Sequence, residues 1–291
     1  MKKTKLPPII NFHVNKSCQM QCRYCFAQFR DIGKILRPGK VLEIIDALSL
    51  AGIKRINWVG GEPLLDKNIK EYLRHTKQHG LKTSIITNGL ILHSLPEKEF
   101  TGLMDLLDTI GISIDSLQPD TNRIIGRYGA GIIPGRAFYE TLAQKIIRTG
   151  TPLKINTVVS SQNNTEKFWD FILHVRPYKW KIFQVLGVTG ENRIEPWQID
   201  REQFQMFLEI NSPAKSFMIV EKDEDMKGAY AMIDPLGRFF DNTKGGYTLS
   251  HPIPEVGVEK AWAQISFDFN KFQKRYKHEN FESYSWFSAA V

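Results

Sequence analysis

The chain has 291 residues, 42% hydrophobic and 24% charged, the composition of a globular protein with a real core in one large domain or two modest ones. No stretch approaches the roughly 18 consecutive apolar residues of a membrane span, and the basic start MKKTKLPPII lacks the apolar run of an export signal, so an unexported, cytoplasmic protein with no membrane partner is expected. The net charge of +8 invites an anionic ligand; with the Lys and Arg scattered and no basic arm or aromatic RNA-reading motif present, phosphorylated small molecules account for it without a nucleic-acid partner.

Short β-rich runs alternate with segments of helical period. IINFHV precedes a helix over 40–51, RINWVGG one over 67–79, and TSIITNG one over 97–107; TIGISID, LKINTVVS and KWKIFQVL precede helices over 136–149, 165–175 and 200–211. Six strand–helix units predict an α/β protein with a parallel sheet, and the apolar runs suggest strands buried on both faces. Polar residues cluster just after the C-terminal ends of the strands, which favours a partial (βα)6 barrel, with a doubly wound sheet as the alternative. That barrel would occupy residues 1–211. Residues 212–291 read as a loop-rich C-terminal extension that packs on the barrel and closes the substrate site. Within it YAMIDPLGRFF reads as a hairpin around Pro235, Leu236 and Gly237.

All three cysteines, Cys18, Cys22 and Cys25, fall in NKSCQMQCRYCF directly after the first strand. Three thiols at such short spacing close no useful disulfide loop. A structural zinc wants four ligands, and the nearby candidate, His13, sits on the preceding strand. The remaining metal reading is an iron-sulfur cluster held by three thiolates, with one iron open to a ligand.

CxxxCxxC after a first strand, with Tyr24 before the last cysteine, resembles the signature of the radical S-adenosylmethionine superfamily. The resemblance implies a 4Fe-4S cluster whose open iron holds S-adenosylmethionine, and an electron donor such as a flavodoxin or ferredoxin. Gly60, Gly61 and Glu62 of GGEP, Asn88 of TNG and Ser113 of SIDS follow in the order of that superfamily's cofactor segments. Singly, each is also a turn or cap residue.

IIGRYGAG, LKINTVV, KWKIFQVLGVTGEN, MKGAYAMID and VGVEKA are similar, in the same order, to segments of the viperin family. This narrower resemblance spans about Ile10 to Phe287. It implies conversion of a ribonucleoside triphosphate, CTP first with UTP or GTP as options, to its 3'-deoxy-3',4'-didehydro form, a terminator of viral RNA synthesis. It places Arg127 at the cofactor carboxylate, Asn11 and Asn156 at substrate, and Tyr230 as donor of an electron and a proton to the product. Arg30, Lys154, Lys179 and Lys181 would surround the triphosphate at the same barrel mouth. Arg30 stands where the family has lysine and Lys179 where it has arginine, which changes hydrogen-bond geometry while keeping charge. The family's terminal tryptophan, used for cluster delivery, is replaced by an ending WFSAAV with Trp286 nearby. A radical enzyme acting on a peptide or other small molecule, and a metal-binding module without activity, are the alternatives.

Overall fold

The computed structural model describes residues 6–276. Ten strands form one sheet: β1 (Ile9–His13), β2 (Arg55–Val59), β3 (Lys82–Thr87), β4 (Thr109–Ser113), β5 (Leu153–Val159), β6 (Lys179–Gln184), β7 (Met218–Glu221), β8 (Met232–Ile233), β9 (Arg238–Asp241) and β10 (Thr248–Pro252). Their spatial order is β10-β9-β8-β1-β2-β3-β4-β5-β6-β7. From β1 to β7 every neighbour is parallel and consecutive in sequence. Because right-handed crossovers that always step the same way leave their helices on one face, this order defines a curled, barrel-type sheet. The doubly wound alternative would reverse its strand order and is excluded.

The main crossover helices are α1 (Pro38–Leu50), α2 (Ile69–Gln78), α3 (Glu97–Met104), α4 (Arg136–Ile147), α5 (Trp169–Val175) and α6 (Arg201–Ile210), each within the segment expected from periodicity or close to it. In α2 the buried residues are Ile69, Tyr72, Leu73 and Thr76, an i, i+3, i+4, i+7 stripe. They meet the alternate strand residues: Phe12 stacks on Trp58, and Trp58 on Tyr72, with centroids 5.3 and 5.6 Å apart. α6 is closed at its start by a reciprocal cap, in which Asp200 accepts from the Gln203 amide and Gln203 accepts from that of Asp200.

Two expectations need correction. The strands are buried on both faces, all five residues of β1 included, but the runs expected to be apolar throughout are apolar on one face only. The residues that alternate with Phe12, Trp58, Ile155 and Trp180 are Asn11, His13, Asn57, Asn156, Lys179 and Lys181, so the face turned from the helices is polar. Nor does the parallel sheet end at residue 211. Met218–Glu221 adds a seventh parallel strand to β6, and β8 adds another beside β1 on the opposite edge. The expected hairpin is present as β8 and β9, turned by Asp234, whose carbonyl accepts from the Gly237 amide at 2.9 Å. The last helix among the described residues, α7 (Phe269–Arg275), packs Phe272 against Ile9. Trp286 lies outside the described residues. No described helix is long and apolar enough to cross a membrane.

Candidate active site

The loop carrying the cysteines is stitched to two other segments by its backbone. The Gly61 and Glu62 amides donate to the Asn15 and Ser17 carbonyls at 2.9 and 2.7 Å; the Gln21 and Arg23 amides donate to the Gly126 and Ile125 carbonyls at 3.1 and 3.0 Å. Contact is close enough to require glycine. A Cβ on Gly61 would lie 2.2 Å from the Ser17 carbonyl oxygen, and one on Gly126, at φ +81°, would lie 2.1 Å from that of Gln21. GGEP and IIGRYGAG are therefore the two walls against which the cysteine loop is pressed.

Beneath that loop, Asp115 ties three elements together. It accepts from the Tyr24 hydroxyl and from Arg127 at 2.8 Å each, and from the Val158 amide at 2.8 Å. Arg127 also donates to the Ser113 carbonyl at 2.6 Å and reaches Cys22 Sγ at 3.7 Å. Buried to 5% exposure, it is no surface-loop arginine. Asn88 donates to Cys18 Sγ at 3.6 Å. Its amide, the Thr87 hydroxyl and the Leu64 amide all donate to Glu62, whose carboxylate thus joins the ends of β2 and β3. Burial raises Glu62 to about 7 against the pull of those donors.

The thiols are free, with Cys18 exposed and Cys22 and Cys25 half-buried. Burial pushes Cys22 to about 12 and Cys25 to about 11. A single zinc, with Zn–S bonds of about 2.3 Å, would hold any two sulfurs within about 4.6 Å of each other. Three thiolates are one ligand short of a closed zinc site, whereas a cubane takes each sulfur on a different iron. Among the described residues, three further candidate ligands whose donor atoms all lie within 4.8 Å are Asp46, His75 and His79. In the Asp46 set, both histidine Nε2 atoms reach the same carboxylate oxygen, at 2.5 and 2.8 Å, which is hydrogen bonding between α1 and the end of α2.

Further acceptors wait inside the sheet. His13 Nδ1, Ser84 Oγ and Asn156 Oδ1 are buried without a hydrogen-bond partner, an arrangement that costs roughly 1–3 kcal/mol each and that a polar ligand relieves. His13 lies among Phe29 and Phe240, and burial lowers it to about 3, so it remains neutral. Asn57 donates to Asn11 at 2.9 Å.

The lysines are not at the mouth where they were expected. Lys154 is the second residue of β5, and Lys179 and Lys181 are the first and third of β6, so they stand at the entering ends of their strands, opposite the cysteine loop. There they line a cavity of about 350 Å³ with Arg55, Lys82 and Arg275, faced by Asp108. Gly111 makes room for them: a Cβ there would lie 3.0 Å from Lys154 Cε. Arg30 is separate, exposed on the loop beyond Cys25 and donating to the Glu191 carbonyl at 3.3 Å. Arg55, Lys82 and Arg275 escaped sequence reading, although Arg55 with Asn57 and Lys82 with Ser84 show the same period-two spacing that marks Lys179 and Lys181. Asp115 and Glu221 also escaped.

Tyr230, two residues before β8, lies beside two groups of that lining, Lys181 and Arg275. Its hydroxyl donates to Glu221 at 2.5 Å, and the Arg275 guanidinium lies 3.4 Å from its ring centroid. It packs, with Cys25, against the apolar cluster of Phe29, Met232 and Phe240.

A three-cysteine loop over the C-terminal ends of a curled parallel sheet defines a radical enzyme, and the model of the Radical SAM superfamily matches residues 13–202. The solved structure of Streptococcus suis SuiB bound to S-adenosylmethionine shares the fold, with a TM-score of 0.68 and 16% identity over 92% of this chain and 67% of that one. The S-adenosylmethionine-dependent nucleotide dehydratase of Flammeovirga pacifica is 38% identical over 276 residues, 92% of this chain and 94% of the relative. The S-adenosylmethionine-dependent nucleotide dehydratase RSAD2 of Oncorhynchus mykiss is 30% identical over 92% of this chain and 79% of its own. Within the radical S-adenosylmethionine superfamily, the chain therefore belongs to the nucleotide dehydratase, or viperin, family. A 4Fe-4S cluster and S-adenosylmethionine are that superfamily's cofactors, and the cysteine spacing fits them.

Proposed function

We propose that the protein dehydrates a ribonucleoside triphosphate, CTP first among the candidates, to the 3'-deoxy-3',4'-didehydro nucleotide that terminates viral RNA synthesis. The observation that carries this reading is the two-ended interior. One end presents three cysteines, and the other presents Arg55, Lys82, Lys154, Lys179, Lys181 and Arg275, with unsatisfied Asn156, Ser84 and His13 acceptors buried on the same sheet.

Cys18, Cys22 and Cys25 would hold the cluster, which with S-adenosylmethionine supplies the deoxyadenosyl radical that takes hydrogen from ribose C4'. Gly60, Gly61 and Glu62, with Tyr24, Asn88, Ser113 and Arg127, form the cofactor's surroundings; Glu62 and Arg127 act by holding the β-strand ends and the loop in place. Lys154, Lys179 and Lys181 hold the phosphates as point charges, and Asn11 and Asn156 orient the sugar. Arg30, exposed at the loop side, stands apart from the lysines that hold the phosphates. The 3'-hydroxyl leaves as water on receiving a proton from an inward lysine or ordered water, and Tyr230 supplies the electron that completes the double bond. Residues 212–276 close the phosphate cavity through Arg275 and Tyr276. A cytoplasmic flavodoxin or ferredoxin serves as electron donor in this reading.

Anaerobic reconstitution followed by 5'-deoxyadenosine assay against CTP, UTP, GTP and ATP tests it. One triphosphate should stimulate release at least tenfold and yield the didehydro product; equal release with all four, or stimulation by peptides, would overturn it.

A further inference from the structure

Glu221 is the last residue of β7, with its side chain 2% exposed, and three groups converge on it. Tyr230 donates its hydroxyl at 2.5 Å, Arg275 Nε donates at 2.9 Å to the same oxygen, and Lys181 is ion-paired to the other. Arg275 in turn covers the Tyr230 ring and donates to the Ala229 carbonyl at 2.7 Å, which fixes the ring's orientation. A tyrosine merely filling a core needs no such partner set; one anionic acceptor aligned on the phenol and shared with a cation of the phosphate cavity is a built arrangement.

We propose that Glu221 is the proton acceptor that lets Tyr230 act as a one-electron donor, and that Lys181 gates it by exchanging Glu221 for the phosphate of an entering nucleotide. This rests on the dehydratase reading above. After the 3'-hydroxyl has left as water, the ribose is a radical cation across C3' and C4'. Tyr230 is oxidised by one electron, its O–H bond breaks, and the proton passes to the Glu221 oxygen it already touches. The ribose is reduced by that electron to the neutral C3'=C4' enol ether. A low-potential one-electron donor then reduces the phenoxyl, and the proton returns. Without ligand, Lys181 and Arg275 together hold Glu221 ionised and a poor base; burial alone would push it up, but the two cations keep it at about 2. Withdrawal of Lys181 to a phosphate raises its basicity only when substrate is present. Glu221 is thus a positioning residue that acts through Tyr230.

Two measurements test this. In reconstituted enzyme, product formed per 5'-deoxyadenosine released should fall at least tenfold in Glu221→Gln, which keeps an acceptor atom but not a base, and recover in part in Glu221→Asp. In the cofactor-free protein carrying 3-fluorotyrosine at position 230, ¹⁹F titration should show the phenol ionising at lower pH in Glu221→Gln than in wild type. Inorganic triphosphate should move the wild-type titration upward and leave Lys181→Met unmoved. The charged and titratable groups facing that phenol are Glu221, Arg275, Lys181 and Tyr276, so the variants isolate the effect. A wild-type product ratio in Glu221→Gln, or a titration indifferent to triphosphate, overturns the proposal. Should Glu221→Gln not fold, the triphosphate response of the wild-type and Lys181→Met titrations carries the test, a wild-type titration that triphosphate does not move overturning it. If Tyr230→Phe itself gives a normal ratio, the donor reading fails first; if Tyr230→Phe loses product while Glu221→Gln does not, only the present proposal fails.

Discussion

Glu62 and Glu221 are both carboxylates buried to 1% exposure, yet they are driven in opposite directions. The hydrogen-bond donors to Glu62 are all neutral and the pull of Arg127 on it is its smallest influence, so desolvation wins and it rises to about 7; Glu221 is paired directly with Arg275 and Lys181, so the cations win over burial and it falls to about 2. The consequences for stability have opposite signs. Glu221 stabilises the fold fully above its unfolded value near 4.5, and that contribution is lost as pH falls toward 2. Glu62 favours the fold most below 4.5, and its contribution is lost as pH rises through 7. Glu221→Gln should cost roughly 3 kcal/mol at neutral pH, because it strands two cations, with the gap to wild type narrowing below pH 4.5. Thermal melts from pH 3 to 8 measure it, and parallel curves for the two proteins would remove the ion-pair account.

At the level of elements, the cysteine loop owes its shape less to its own residues than to the backbones beside it. Gly61→Ala and Gly126→Ala each drive a methyl into a main-chain carbonyl that cannot yield alone, so each should cost roughly 1–3 kcal/mol and lower the iron bound on anaerobic reconstitution. Gly102→Ala, inside α3 with nothing near its Cβ, should instead stabilise by about 1 kcal/mol and leave iron content unchanged. Iron analysis beside urea unfolding separates the three. The loop's existence was legible in the spacing of Cys18, Cys22 and Cys25, and the six strand–helix units were legible because apolar stripes at 3.6 residues survive in α2 and α4 alike. β7 was not: MIVE is four residues long, three of them at least partly exposed, and it follows the helical segment Ser212–Phe217 without the apolar run that marks the earlier strands. Asp115 and Glu221 were missed because a carboxylate's partners, here Arg127 and Arg275, are set by packing and not by neighbours in sequence. The lysines were recognised but assigned to the wrong end, since a residue near a strand boundary looks alike from either side until the strand's first residue is known.

For the molecule as a whole, strand order settles what no single motif could. Seven parallel strands in consecutive order put all the crossover helices outside and every second side chain inside, so that the polar face expected of a barrel mouth extends the full depth of the sheet. The additional strands β8, β9 and β10 continue it beyond β1, and they bring Tyr230 within reach of an interior whose other wall is β6 and β7. Chain residues far apart in sequence, Lys181, Glu221, Tyr230 and Arg275, meet only because both edges of the sheet curl toward one another.

The separation of the cationic cavity from the cysteine loop makes the protein a ruler. From Lys154 to the end of β5 at Val159 is five residue steps, roughly 17 Å at about 3.3 Å each. In the proposed reading, a nucleotide reaches across that depth, gripped at its tail while its sugar sits under the loop. Nucleotides shortened to the monophosphate should therefore lose more than a hundredfold in KM, and supplying inorganic diphosphate alongside them should not restore what the missing covalent tether provided; equal KM values for mono- and triphosphate would show that length is not what is being measured.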